Sequence, residues 1–232
     1  EQSLSATYIT AILEDEEENM WIGTKDGLNI LNKNTEKILR IPTGMDNVKG
    51  ITDSKITALF KDSKNNIWIG TENGLNMYNK DEGIFKKYIF DLENGTKTCN
   101  NHITDIKEDI NGYLLVGNKC GINIVNLENY AIVDNEKPCK ERKYIYSMEE
   151  DNKNNIWMAT DEGIYKYNMV NQEVEPFNIE IDEDLNSKIE KIFFDSNNNL
   201  WFSSSNGAIK YNQDNKSFVV YKNEPLYECS LS

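Results

Sequence analysis

No stretch of the 232-residue chain approaches the ~18 consecutive apolar residues that a membrane-spanning helix needs. The opening Glu1-Gln2-Ser3-Leu4-Ser5 has neither the basic nor the apolar region of a secretory signal; in a chain cut from a longer protein, neither absence is informative. Cations are in deficit, with 25 Lys+Arg against 39 Asp+Glu and a net charge of −14. That excludes nucleic acid, whose phosphates are bound by neutralising them, and equally excludes docking on an anionic membrane. Histidine occurs once, as His102, so a His-based catalytic triad could be built only around it. No GxxxxGK[ST] or GxGxxG loop cradles a phosphate. Cys99, Cys120, Cys139 and Cys229 show no CxxC spacing, against a zinc or redox motif, and they are too few for a disulfide-stapled miniprotein. No cofactor and no metal are therefore expected.

Large apolar surfaces are present, in four Trp, twelve Tyr and eight Phe, so the chain can bury a core despite its polarity. They are organised by a repeat. Trp21-Ile22-Gly23-Thr24 returns as Trp68-Ile69-Gly70-Thr71, then as Leu115-Val116-Gly117-Asn118, Trp157-Met158-Ala159-Thr160 and Trp201-Phe202-Ser203-Ser204, at spacings of 47, 47, 42 and 44 residues. Six residues before each anchor stands an Asp (Asp15, Asp62, Asp109, Asp151, Asp195), and six after it a Gly (Gly27, Gly74, Gly121, Gly163, Gly207). Five further on stands an Asn (Asn32, Asn79, Asn126, Asn168, Asn212).

Each unit reads as four short strands separated by turn residues. In the second copy these are Ile56–Phe60, Ile67–Gly70, Leu75–Tyr78 and Ile84–Phe90, with fourth strands elsewhere at Glu36–Ile41, Val174–Phe177 and Ser217–Tyr221. The recurrent Gly suits a turn position with positive φ; the recurrent Asn tolerates the left-handed region and can bond its own turn. A unit of roughly 45 residues cannot bury both faces of its sheet alone, whereas stacking units around a channel can. The expectation is an all-β fold, a β-propeller of five four-stranded antiparallel blades. It forms one domain over residues 1–232, with repeats near 9–55, 56–102, 103–144, 145–188 and 189–232. Trp21, Trp68, Trp157 and Trp201 then fill the spaces between blades. A sixth copy would begin near residue 236, so the five read as an incomplete arc of a larger ring. Further blades or a second chain are expected over its open faces.

The unit I-x-[AS]-[IL]-x-x-D-x-x-x-N-x-W-I-G-T-x-x-G-L, read at Ile9–Leu28 and Ile56–Leu75, resembles the two-component regulator propeller repeat. The resemblance covers essentially the whole chain, less closely where Leu115 replaces Trp and Ser203 replaces Gly. It implies the extracytoplasmic ligand-sensing part of a membrane-anchored signalling protein, such as a hybrid histidine kinase or a diguanylate cyclase, with the output domain elsewhere. The D-x-x-x-N-x-W turn also resembles the Asp-box hairpin of sialidases, a structural element there too.

With strands meandering outward from the channel, the residues entering each first strand are Tyr8, Lys55, His102, Tyr144 and Lys188. They are expected to ring one channel mouth, where a small molecule or glycan would stack on aromatic rings or pair with Lys. All four cysteines map to the same face. Against this stands the ordinary variation of loop residues. The recurrent acids sit in turns, where Asp accepts backbone N–H bonds, and Asp195–Asn199 lacks the Gly and bidentate Glu of a calcium loop. A binding or sensing module is the leading reading; an interaction scaffold, or less readily a propeller lyase or glycosidase, are its rivals.

Overall fold

The computed structural model describes residues 3–90, 101–133, 143–178, 189–204, 207–213 and 215–222. Twenty strands form five four-stranded antiparallel sheets. Blade 1 comprises β1 (Ile9–Glu14), β2 (Asn19–Thr24), β3 (Gly27–Asn32) and β4 (Lys37–Ile41); blade 2 comprises β5 (Ile56–Lys61), β6 (Ile67–Thr71), β7 (Gly74–Asn79) and β8 (Ile84–Tyr88). Blade 3 comprises β9 (Ile103–Glu108), β10 (Tyr113–Asn118), β11 (Gly121–Asn126) and β12 (Ala131–Val133). Blade 4 comprises β13 (Ile145–Glu150), β14 (Asn155–Thr160), β15 (Gly163–Asn168) and β16 (Glu173–Phe177); blade 5 comprises β17 (Ile189–Phe194), β18 (Leu200–Ser204), β19 (Gly207–Asn212) and β20 (Ser217–Tyr221). Two compact units divide them, blades 1–3 (residues 1–108 and 112–134) and blades 4–5 (residues 109–111 and 135–232). In the second blade the last strand ends at Tyr88, two residues short of the expected Phe90.

The recurrent Asp is the hub of each first turn. Asp62 Oδ1 accepts the backbone N–H groups of Lys64 (3.0 Å) and Asn66 (2.8 Å), while Oδ2 accepts Asn66 Nδ2 (2.9 Å) and the indole Nε1–H of Trp68 (2.8 Å). Asp15–Trp21, Asp151–Trp157 and Asp195–Trp201 repeat that indole bond at 2.9 Å each. Asp is required because one short carboxylate must span both the turn backbone and a ring six residues on. The turn closes through a left-handed residue three after the Asp: Glu18, Asn65, Gly112, Asn154 or Asn198.

The recurrent Gly does adopt positive φ, from 113° at Gly163 to 142° at Gly27. The recurrent Asn does not enter the left-handed region. Its Oδ1 accepts backbone N–H groups two or three residues on, as Asn79 does from Asp81 (3.0 Å) and Asn32 from Thr35 (2.9 Å). The left-handed residue lies four positions after the Asn instead: Glu36, Gly83, Tyr130, Gln172 and Lys216.

Within the first unit, Trp21 and Leu28 of blade 1 pack with Ile56, Ile67, Ile69 and Phe85 of blade 2, and Trp68, Leu75 and Met77 of blade 2 pack with Ile103, Ile106, Leu114 and Val116 of blade 3. Within the second, Trp157, Ala159 and Ile164 of blade 4 pack with Ile192, Leu200, Phe202 and Tyr211 of blade 5. Trp21, Trp68 and Trp157 are buried between sheets as expected, whereas Trp201 is only partly buried.

The Asp hubs make stability acid-sensitive. The indole bond from Trp201, with the bonds from Asn199 and Asn197, holds the Asp195 carboxyl well below its ordinary value of 3.8. At Asp15 burial pushes the carboxyl up, but the bonds from Trp21, Asn19 and Glu17 outweigh it and the net displacement is downward. A carboxyl depressed by folding contributes stability that is present above its unfolded value and is lost as pH falls toward its folded one. Urea unfolding midpoints are expected to hold between pH 7 and 5 and to fall below about pH 4. Asp195→Asn should flatten that fall; an equally steep one would place the acid-labile groups elsewhere.

Candidate functional site at the first-strand rim

Four residues upstream of the bulged first strands β1 and β5, the connector entering the strand is fastened by side chains. In blade 1, Ser5 N–H donates to Asn29 Oδ1 (3.0 Å), Asn29 Nδ2 donates to Ser5 Oγ (2.8 Å), and Ser5 Oγ lies 3.0 Å from Thr24 Oγ1. In blade 2 the same lattice uses Thr52, Asn76 and Thr71, at 2.9, 3.0 and 2.9 Å. Thr24 and Thr71 also donate to the carbonyls of Gly27 and Gly74, bracing the next turn. The connector is thus rigid where it delivers Tyr8 or Lys55 to the rim.

Backbone bonds tie Tyr8, Lys55 and Tyr144 to the turn between second and third strands. Lys25 N–H donates to Tyr8 O (3.2 Å), Glu72 N–H to Lys55 O (3.1 Å) and Asp161 N–H to Tyr144 O (3.2 Å). Side chains from those turns therefore join the rim. Lys25 Nζ stands 3.9 Å from the ring centroid of Tyr8, itself 59% exposed. Lys55 Nζ donates to Glu72 Oε2 at 2.9 Å.

His102, at the head of β9, is pushed below its ordinary value of 6.5 first by burial and then by the charge of Lys119; Glu72 opposes this and Lys55 adds to it. It is neutral at pH 7, offering one donor and one acceptor. Glu72 is held low chiefly by its bond from Lys55, against burial. Lys55, Glu72, His102 and Lys119 thus share one electrostatic neighbourhood. Just inside, the hydroxyls of Thr10, Thr57 and Thr104 are buried with no hydrogen-bond partner among the described residues.

In the second unit, Tyr144 stacks on Tyr146 with centroids 4.4 Å apart, and its N–H donates to Asp161 Oδ1 (2.9 Å). Lys143 bonds Glu162 and stands 4.6 Å from the ring of Tyr165. Of the five rim residues expected, Tyr8, Lys55 and His102 head successive first strands of the first unit, Tyr144 heads β13 in the second, and Lys188 lies outside the described residues. Lys25, Glu72 and Lys119 were not anticipated, although the meander that places both kinds of connection on one face already implied them. Cys120, in the turn before β11, is disulfide-bonded; Cys99, Cys139 and Cys229 lie outside the described residues.

This strand-and-turn pattern is shared with known proteins. The two component regulator propeller family matches residues 3–26, 50–73 and 141–162, segments that take in the first two strands of blades 1, 2 and 4 and the start of the turn after them. These three segments are similar to two component regulator propeller repeats. No curated protein matches the chain. Among solved structures, the extracellular domain of the hybrid two component system BT3049 from B. thetaiotaomicron superposes with TM-score 0.75 at 22% identity, over 94% of this chain and 30% of that one. The extracellular domain of BT4673 from the same organism gives 0.72 at 16% identity, over 98% of this chain and 36% of that one. The chain thus spans about a third of either. Virginiamycin B lyase from Staphylococcus aureus gives 0.70 at 18% identity, over 94% of this chain and 70% of the lyase. At these identities the likeness is one of fold: the chain is a propeller domain similar to extracellular domains of two-component regulators.

Proposed function

We propose that this propeller chain is an extracytoplasmic ligand-sensing segment of a bacterial signal-transduction protein, taking a small polar molecule or glycan at the rim of its first strands. The rim chemistry carries this reading: an exposed Tyr8 ring and a Lys55–Glu72 pair, with Tyr8 and Lys55 delivered by rigidly fastened connectors, and a neutral His102 in the same electrostatic neighbourhood as that pair. Aromatic faces stack on sugars, and a Lys–Glu pair in solvent is worth little, so a ligand can take over either partner cheaply. The disulfide at Cys120 supports an oxidising compartment, and the extracellular relatives support the same location. The test is calorimetric titration with a panel of neutral and uronic-acid oligosaccharides. Saturable binding that weakens about tenfold in Tyr8→Ala or Lys55→Ala is expected. Binding indifferent to both would move the site away from the rim.

Two further points follow. The lyase likeness motivates a second reading with His102 as the only imidazole; incubation with quinupristin decides it, and on the sensor reading the compound is recovered unchanged. Blade 1 also leaves Ile12 60% exposed, while its counterpart Ile106 on blade 3 is buried under blade 2. Phe193 and Val219 of blade 5 are exposed as well. We propose that repeats of the same kind cover these faces. Trp201→Ala, made in this chain and in one carrying additional repeats, reads this out: its cost should rise when a repeat covers the face.

A further inference from the structure

A cavity of about 500 Å³ lies between blades 1 and 2, away from the rim, on the side of the Asp turns. Trp21 and Tyr78, with centroids 5.1 Å apart, form its aromatic wall, and Ile30, Leu39, Asn19 and Glu17 also line it. The next gap, between blades 2 and 3, shows what such a space accepts. There the ring of Tyr130 is seated, its hydroxyl accepting from Asn66 Nδ2 (3.1 Å), with Lys64 Nζ and Lys86 Nζ 5.6 and 5.8 Å from its centroid. Lys86 Nζ and the Tyr88 hydroxyl donate to the Tyr130 carbonyl, at 2.8 and 3.3 Å.

Strand register makes the two gaps comparable residue by residue. Asn66 corresponds to Asn19, Lys64 to Glu17, Lys86 to Leu39 and Tyr88 to Ile41. Tyr130, the residue before β12, corresponds to Gly83, the residue before β8, and both are left-handed at φ 56° and 64°. The repeat that would place a phenol in the first gap carries no side chain there, and a Cβ built on Gly83 meets nothing within 4 Å.

We propose that the cavity between blades 1 and 2 binds a small uncharged phenol in the seat that Tyr130 fills one gap later. The ring would lie against Trp21 and Leu39. Its hydroxyl would take the second amide N–H of Asn19, whose first is spent on Asp15 Oδ2 at 3.0 Å. Asp15, Glu16 and Glu17 line the opening with Lys37 and Lys80, and Glu17 is paired with Lys80 at 2.8 Å. Acids outnumber cations there, so carboxylates and phenolates are disfavoured, while an ordinary phenol is neutral at pH 7. The volume is within the usual range for small-molecule sites. This site is separate from the rim and stands or falls independently of it.

The test titrates p-cresol into the protein by calorimetry, with toluene and 4-hydroxybenzoate as comparisons. Saturable millimolar or tighter binding of p-cresol is expected, with toluene weaker for want of the hydroxyl and the carboxylate weaker for its charge. Gly83→Tyr places the repeat's own phenol in the seat, in a conformation Tyr130 already adopts. It should weaken p-cresol at least about tenfold. Leu39→Trp, filling the space from blade 1, should do the same and serves if Gly83→Tyr folds poorly. Absence of saturable p-cresol binding, or binding unchanged in a folded variant, would overturn the proposal.

Discussion

Replacing Trp68 by alanine is expected to destabilise the protein by about 3–5 kcal/mol, the range for deleting a large buried aromatic side chain. Trp68 is fully buried and packs its indole against Tyr88, with centroids 5.4 Å apart, and against the apolar face of blade 3. Its Nε1–H is one of the bonds that satisfy the buried Asp62. Truncation therefore opens a void between two sheets and strips a donor from a carboxylate with little water to replace it. Trp201 provides the comparison. It makes the same indole bond, to Asp195, and stacks on Tyr221 of its own blade, but it is only partly buried. Trp201→Ala should cost about 1–2 kcal/mol in this chain, in proportion to the smaller apolar area it removes from water. Urea unfolding followed by far-ultraviolet circular dichroism gives both values. Equal costs would mean that the Asp hub, common to both, and not inter-sheet packing, carries the effect of the anchor.

The anchor, the Asp and the Gly were legible in the sequence because each answers to a local requirement: a large inter-sheet filler, a turn acceptor and a positive φ. Other features left no mark of that kind. The left-handed residue four places after each Asn is Glu36, Gly83, Tyr130, Gln172 or Lys216, five unrelated types, because the turn fixes its backbone while the side chain is left to the inter-blade gap. No residue type recurs, so no motif shows. The cavity between blades 1 and 2 depends on one of those five positions and emerges only once strand register aligns Gly83 with Tyr130. Tyr8, Lys55 and His102 in the first unit and Tyr144 in the second stand directly before or at the heads of first strands, a placement legible from topology, since the residue entering a strand must lie at one end of it. Glu72, which compensates the charge of Lys55 and bears on His102, needed the side-chain geometry, because several acids could have reached that lysine.

The Gly of the Trp-Ile-Gly-Thr anchor has a different cause from the turn Gly, and it leads to the second large effect. A Cβ on Gly70 would lie 2.7 Å from Ile103 Cγ2 and 3.1 Å from Ile103 Cβ, at the head of the next blade's first strand; on Gly23 it would lie 2.5 Å from Ile56 Cγ2. Ile103 and Ile56 are buried, and a β-branched side chain has little rotamer freedom with which to retreat, so relief requires the two sheets to separate. Gly70→Val is therefore expected to destabilise by about 3 kcal/mol, the upper part of the overpacking range, and Gly70→Ala by roughly half as much. Blade 4 carries Ala159 at this position, buried in one cluster with Ile189, so its sheets already stand far enough apart for one methyl. Ala159→Gly should accordingly lose only about 1 kcal/mol, for the missing methyl and the freer unfolded chain. Chemical unfolding of Gly70→Ala and Gly70→Val alongside the double variant Gly70→Ala/Ile103→Val isolates the contact. Because Ile→Val removes the outer methylene and not the crowding Cγ2, it should not rescue Gly70→Ala, whereas Ile103→Ala should relieve the clash while adding its own cavity. Recovery with valine would mean that the whole side chain shifts to admit the new methyl, and that the sheets do not set the spacing.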